Sequence, residues 1–130
     1  MIVDSSVIIA ILKREAEHIQ LATILRASPI NKISAATYVE ASIVIERWKN
    51  PILSARFDEI IEQFHILIEP FTPEQAGIAR QAYRDFGRGS GHAANLNFGD
   101  CFSYALARAK REPILFKGDD FNRTDLTPAV

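Results

Sequence analysis

Four short β-prone runs, "MIV", "NKISAA", "HILIEPFT" and "PILFKG", are spaced along the chain with helical stretches between them. None of the gaps is short enough for a hairpin, and crossovers of this length pair strands in parallel. That spacing restricts the chain to an α/β layer sandwich, with a central, mostly parallel sheet flanked by helices. The helical stretches carry their own signals. "SSVIIAILKRE" is entered through Ser5 or Ser6 and continues into "EAEHIQLATILRAS", with Ile19, Ala22 and Leu25 on one face, until Pro29 closes it. The β-branched content of its first half also suits a strand. "TYVEASIVIERWKN" opens with Thr37 and Glu40 in capping-box register. Pro51 starts an amphipathic helix whose Leu53, Phe57, Ile60, Ile61 and Phe64 recur at helical spacing. "TPEQAGIARQAYRDF" has Thr72 as N-cap and Pro73 at the first helical position. A glycine-broken connector, "GRGSGHAANL", leads to a helix capped by Asn97, and "DDFNRTDLTPAV" ends the chain as a turn and one last short strand.

Residues 1–130 are expected to form a single domain with a real core. A hydrophobic fraction of 48 % leaves apolar surface over for a partner or a second copy. With a formal net charge of −1 there is no chain-wide basic footprint, so any nucleic acid must be met by a local patch or through metal ions. Cys101 is the only cysteine, which excludes an internal disulfide and suggests a reducing, cytoplasmic setting. No basic residue precedes the first apolar run and Asp4 interrupts it, unlike a signal peptide; the run is also far shorter than a membrane span.

The acids carry the chemistry. Asp4 follows the first strand, Glu40 and Asp100 lie in first turns of helices, and Asp119 and Asp120 follow the last strand. In a parallel sheet those places share the carboxyl edge, where ligands bind. Asp100 also has a plain structural use: three residues after Asn97, it completes a capping box and suits the helix dipole, but four acids so placed are hard to explain as four unrelated caps. Converging carboxylates repel one another unless a cation compensates. The donor type fits Mg²⁺, or Mn²⁺, and not zinc, because His18, His65, His92 and Cys101 are scattered without ligand spacing. Such a site serves phosphodiester hydrolysis by activating water and neutralising phosphate charge.

From end to end the segments "MIVDSSVIIAIL", "SAATYVEASIVIE", "LNFGDCFSYALA" and "ILFKGDDFNRTD" resemble, in order, the acid-bearing segments of PIN-domain ribonucleases of the VapC toxin type. The resemblance implies a PIN-like three-layer sandwich and a Mg²⁺-dependent endoribonuclease, usually a homodimer, silenced by a VapB-type antitoxin. It matches Asp4, Glu40 and Asp100 to the family's first three acids. Asp119 is favoured for the fourth, with Asp120 as its competitor. Asp4, Asp100 and Asp119 would hold metal; Glu40 would bind metal or serve as base. Ser6 matches a supporting hydroxyl. Part of the surplus apolar surface would form the dimer interface and part a groove for an antitoxin helix. RNA is the implied substrate, transfer RNA among the candidates.

The glycine-broken loop reads by default as a flexible connector; in the alternative reading Arg88 and His92 border the site and touch RNA phosphates, with Arg84 extending the patch. Lys117 and Arg123 flank the final acids, where they are expected to balance charge or, as the second reading, to contact substrate. Among other enzymes, aspartate-nucleophile phosphatases need a second acid where Ser5 and Ser6 stand, and receiver domains need an acidic pair that Asp4 lacks. A non-catalytic PIN-like binding module is the alternative from a different class.

Overall fold

Ile2 and Val3 are both buried, yet they serve different cores because successive strand residues point to opposite faces of a sheet. Ile2 packs with Ile114, Ala105 and Phe121, while Val3 packs with Leu115, Val7 and Ile33. At these residues the sheet is thus a middle layer covered on both faces, as parallel sheets favour, whereas Leu67 and Ile68 on an edge strand stay 51 % and 46 % exposed. The computed structural model describes residues 1–130. Its strands are β1 (Ile2–Val3), β2 (Asn31–Ser34), β3 (Ile66–Glu69) and β4 (Ile114–Leu115), all parallel, in the order β3-β2-β1-β4.

Helices α1 (Ser5–Leu12), α2 (His18–Ala27), α3 (Ala35–Arg47) and α4 (Pro51–Gln63) connect β1 to β2 and β2 to β3. Residues of all four enter the core that holds Val3 and Leu115. Helices α5 (Pro73–Phe86) and α6 (Phe98–Lys110) connect β3 to β4, and their residues enter the core that holds Ile2 and Ile114. Connections from the two sides diverge between β1 and β4. The carboxyl ends of those strands therefore flank the crevice where an open α/β sheet binds its ligands.

The expected layers are present, with local departures. The first helix does not run on to Pro29. Arg14 takes a left-handed conformation (φ 51°), the Glu15 amide bonds to Ala10 O at 2.9 Å and the Arg14 amide to Ile11 O at 3.2 Å. This is a Schellman stop made without glycine. Beyond it, α2 buries Leu21 and Leu25, and Ile19 stays 69 % exposed, so the apolar face is not the expected one. Asp4, rather than Ser5 or Ser6, caps α1. Strand β2 ends at Ser34, whose hydroxyl caps α3; Thr37 and Glu40 form no capping box. The last segment is a 3₁₀ turn, Asp120–Arg123, followed by a single bridge from Pro128 to Ile114 instead of a strand. No helix is long and apolar enough to cross a membrane.

Candidate active site

A helix that directly follows a strand starts at that strand's carboxyl end, and one that leads into a parallel strand runs back against it, so α3, after β2, and α6, before β4, both begin at the carboxyl edge where β1 ends. Asp4 is fixed there through its main chain and its side chain. Its amide donates to Leu115 O at 3.0 Å, its Oδ2 accepts the Ser6 amide at 3.1 Å, and its Oδ1 accepts the Ser103 hydroxyl at 2.6 Å. Ser6 in turn accepts the Lys117 amide at 3.0 Å. That bond pins the segment leading to Asp119 and Asp120 against the start of α1.

Glu40 reaches α6 from the second turn of α3 and lays its carboxylate against the Cα of Gly99; a Cβ at residue 99 would fall on the carboxylate oxygens. Gly99 was not legible as a site residue, because its role is to leave space for an acid distant in sequence. Desolvation first, and then the charge of Asp4, raises the pKa of Glu40.

Asp100 does complete the capping box. Asn97 Oδ1 accepts the Asp100 amide at 2.8 Å, and Asp100 Oδ2 accepts the Asn97 amide at 2.9 Å. Yet burial pushes its carboxyl up to about 6; the Asn97 bond opposes this, and the charges of Asp4, Asp120 and Glu40 add to it. Four acids from four elements thus share one field. Asp119 and Asp120 are both exposed; the charge of Asp120 bears on Asp100, while Asp119 has Asn122 Nδ2 as its neighbour at 3.5 Å. No three acidic, imidazole or thiol groups stand close enough together to grip one ion as the side chains lie.

The donor set consists of carboxylate oxygens alone, and none of these acids is ion-paired with a lysine, an arginine or the N-terminus. A cluster so uncompensated fits a hard divalent cation. Lys117 does not supply the balance expected of it: it pairs with Glu15 and Glu17. Cys101 is buried, with its thiol pushed up to about 11 mainly by desolvation, and is inert packing.

The glycine-rich segment is closed rather than open. Arg88 N donates to Leu96 O at 2.9 Å, Leu96 N donates to Phe86 O at 2.8 Å, and Ala94 and Leu96 are buried. Arg123 reaches Ala93 O at 3.4 Å and ties this loop to the 3₁₀ turn that carries Asp120. Arg88 and His92 are exposed on the loop; His92 Nδ1 accepts the Ala94 amide at 3.0 Å, and its ring meets Phe86 edge-on. Arg84, in the last turn of α5, is exposed and donates to Gln81. Tyr104 and Arg108 point away from the acids, to Asp125, at 2.6 and 3.3 Å.

A model of the PIN domain family matches residues 1–126. Ribonuclease VapC28 of Mycobacterium tuberculosis is 50 % identical over 130 residues, covering 100 % of this chain and 98 % of that protein. Among solved structures, Mycobacterium tuberculosis VapC20, described as a sarcin-ricin loop cleaving toxin, superposes with a TM-score of 0.74 at 19 % identity, over 97 % of this chain and 95 % of that one. A toxin-antitoxin complex from Klebsiella pneumoniae gives 0.68 at 17 % identity, over 92 % and 88 %.

Proposed function

The chain belongs to the PIN domain family, among its VapC ribonucleases, and from that membership we propose that it is the toxin of a toxin–antitoxin pair, an endoribonuclease that hydrolyses RNA phosphodiester bonds with Mg²⁺ or Mn²⁺. One observation carries the reading: Asp4, Glu40, Asp100 and Asp120 share a field at the carboxyl edge of the sheet with no basic side chain paired to them. Asp4, Asp100 and Asp120 would hold the ion. We assign the fourth place to Asp120 over Asp119 because its charge is the one felt at Asp100. A bound ion of this kind supplies an acidified water and neutralises charge on the scissile phosphate. Glu40, seated on Gly99, serves as a further ligand or takes up the proton of the attacking water at a carboxylate oxygen.

Purified protein freed of antitoxin is expected to cut RNA with Mg²⁺ or Mn²⁺ and to stop in chelator; transfer RNA is the first substrate to try. A folded protein that cuts under no metal condition would favour the binding-module alternative. Arg84, Arg88 and His92 form the phosphate-contacting flank of this site, on the same side as the tied loop. Removing the charges of Arg84 and Arg88 should raise KM severalfold and flatten the salt dependence of binding. An unchanged KM and salt slope would remove them from the substrate path.

We propose further that the protein acts in the cytoplasm as a homodimer, bound when silent by a VapB-type antitoxin. Exposed Val39 and Ile43 lie on the helix that carries Glu40, and Phe98, 75 % exposed, starts the helix that carries Asp100. Apolar side chains of that size left bare beside a site support a covering partner. A monomer mass by light scattering at high concentration would sink the dimer.

A further inference from the structure

Ser103 lies one turn beyond Asp100 on α6, where a buried helical serine ordinarily bonds back to the carbonyl four residues earlier. Here it does otherwise. Its hydroxyl meets Asp4 Oδ1 at 2.6 Å, and Thr37 Oγ1 stands 3.3 Å from Ser103 Oγ. Ser103 is 1 % exposed, Thr37 0 % and Asp4 5 %. The three belong to α6, α3 and the end of β1, so one buried chain of hydroxyls joins every element that brings an acid to the site except the last turn.

The direction of the chain follows from its chemistry. An ionised carboxylate only accepts, so the single O–H of Ser103 goes to Asp4. The Ser103 oxygen then accepts, and Thr37 donates to it. With Ser6 N on Oδ2, both oxygens of Asp4 are directed before any ion arrives, while lone pairs remain on each.

We infer that Ser103 is a positioning residue for the metal site, with Thr37 as its support: the pair fixes the plane of the Asp4 carboxylate and thereby sets how tightly the site takes a divalent ion. This rests on the metal-dependent reading above. Partners that orient ligands in this way typically change metal affinity 10- to 100-fold when they are lost. Gly99 and Ser103 are four residues apart and share a helical face. The same stripe of α6 therefore seats Glu40 by lacking a side chain and Asp4 by supplying a hydroxyl.

The test is a Mn²⁺ titration followed by thermal shift, without RNA, on wild type, Ser103→Ala, Ser103→Cys and Thr37→Val. Ser103→Ala should raise the Mn²⁺ concentration for half-maximal stabilisation about tenfold. Thr37→Val, nearly isosteric, should raise it by a smaller factor. Should the alanine variant not fold, Ser103→Cys decides by the same rise in the Mn²⁺ midpoint, since its thiol fills the site, being somewhat larger than the hydroxyl, and donates only weakly. A lowered metal-free melting temperature with an unchanged Mn²⁺ midpoint would make the chain a structural pin and overturn the inference. A wild type that shows no Mn²⁺ response would overturn the metal reading itself and this inference with it.

Discussion

Asp100→Asn is expected to abolish metal-dependent RNA cleavage, by on the order of 10²-fold or more, and at the same time to make the metal-free protein more stable. Asparagine keeps an acceptor for the Asn97 amide, so the capping box that Asp100 completes at 2.8 and 2.9 Å survives the change. What is lost is the charge. In the native state the carboxyl stands at about 6, against 3.8 as its ordinary value. Between those values the folded protein binds more protons than the unfolded chain, so stability falls as pH rises through this window, and the full penalty is present above about 6. The undiscounted penalty at neutral pH is about 3 kcal/mol; because Asp100 is only partly buried, screening reduces it to about 1–2 kcal/mol. Melts in chelator should therefore show the variant ahead by a few degrees at pH 7.5 and level with wild type near pH 4. Cleavage equal to wild type would leave Asp100 as a cap alone. Cleavage lost without the pH-dependent gain would mean that the acids do not strain one another as their placement requires.

What was legible in the sequence was the part governed by local rules and order. Period and punctuation give the layers, and the order of strands and helices gives the shared edge for Asp4, Glu40 and Asp100. What was hidden depends on one residue taking an uncommon conformation or meeting a distant partner. Helix α1 stops at Arg14 in a conformation for which glycine is the usual signal, and Lys49, His65 and Arg111 leave their helices in the same left-handed region. Thr37 resembles a cap in sequence because its partner, Ser103, lies 66 residues away. The choice between Asp119 and Asp120 depends on a single 3₁₀ turn, and neighbouring residues in such a turn point in different directions. Lys117 looked like a counter-charge to the acids beside it in sequence, but its long side chain goes to Glu15 and Glu17.

Gly99→Ala should give the second large effect, a loss of cleavage of about 100-fold with little change in stability, which is the scale for small misplacements of a reacting group. The backbone at Gly99 lies outside the left-handed region, so alanine meets no conformational obstacle there, and in the first turn of α6 it gains at most a fraction of the ~1 kcal/mol it gains over glycine in a helix interior. The obstacle is Glu40, whose carboxylate occupies the space a Cβ needs. That carboxylate ends a flexible side chain from another helix, so it swings aside and the fold survives; only its position at the site is lost. Glu40→Gln in the same assay should also lose cleavage, and adding Gly99→Ala to it should cost little more, because both changes remove the same placed charge. Full activity in Gly99→Ala would show that Glu40 acts from elsewhere or not at all, and the site would reduce to its three aspartates. Additive losses in the double variant would mean that Gly99 serves the substrate directly, by letting RNA approach the first turn of α6.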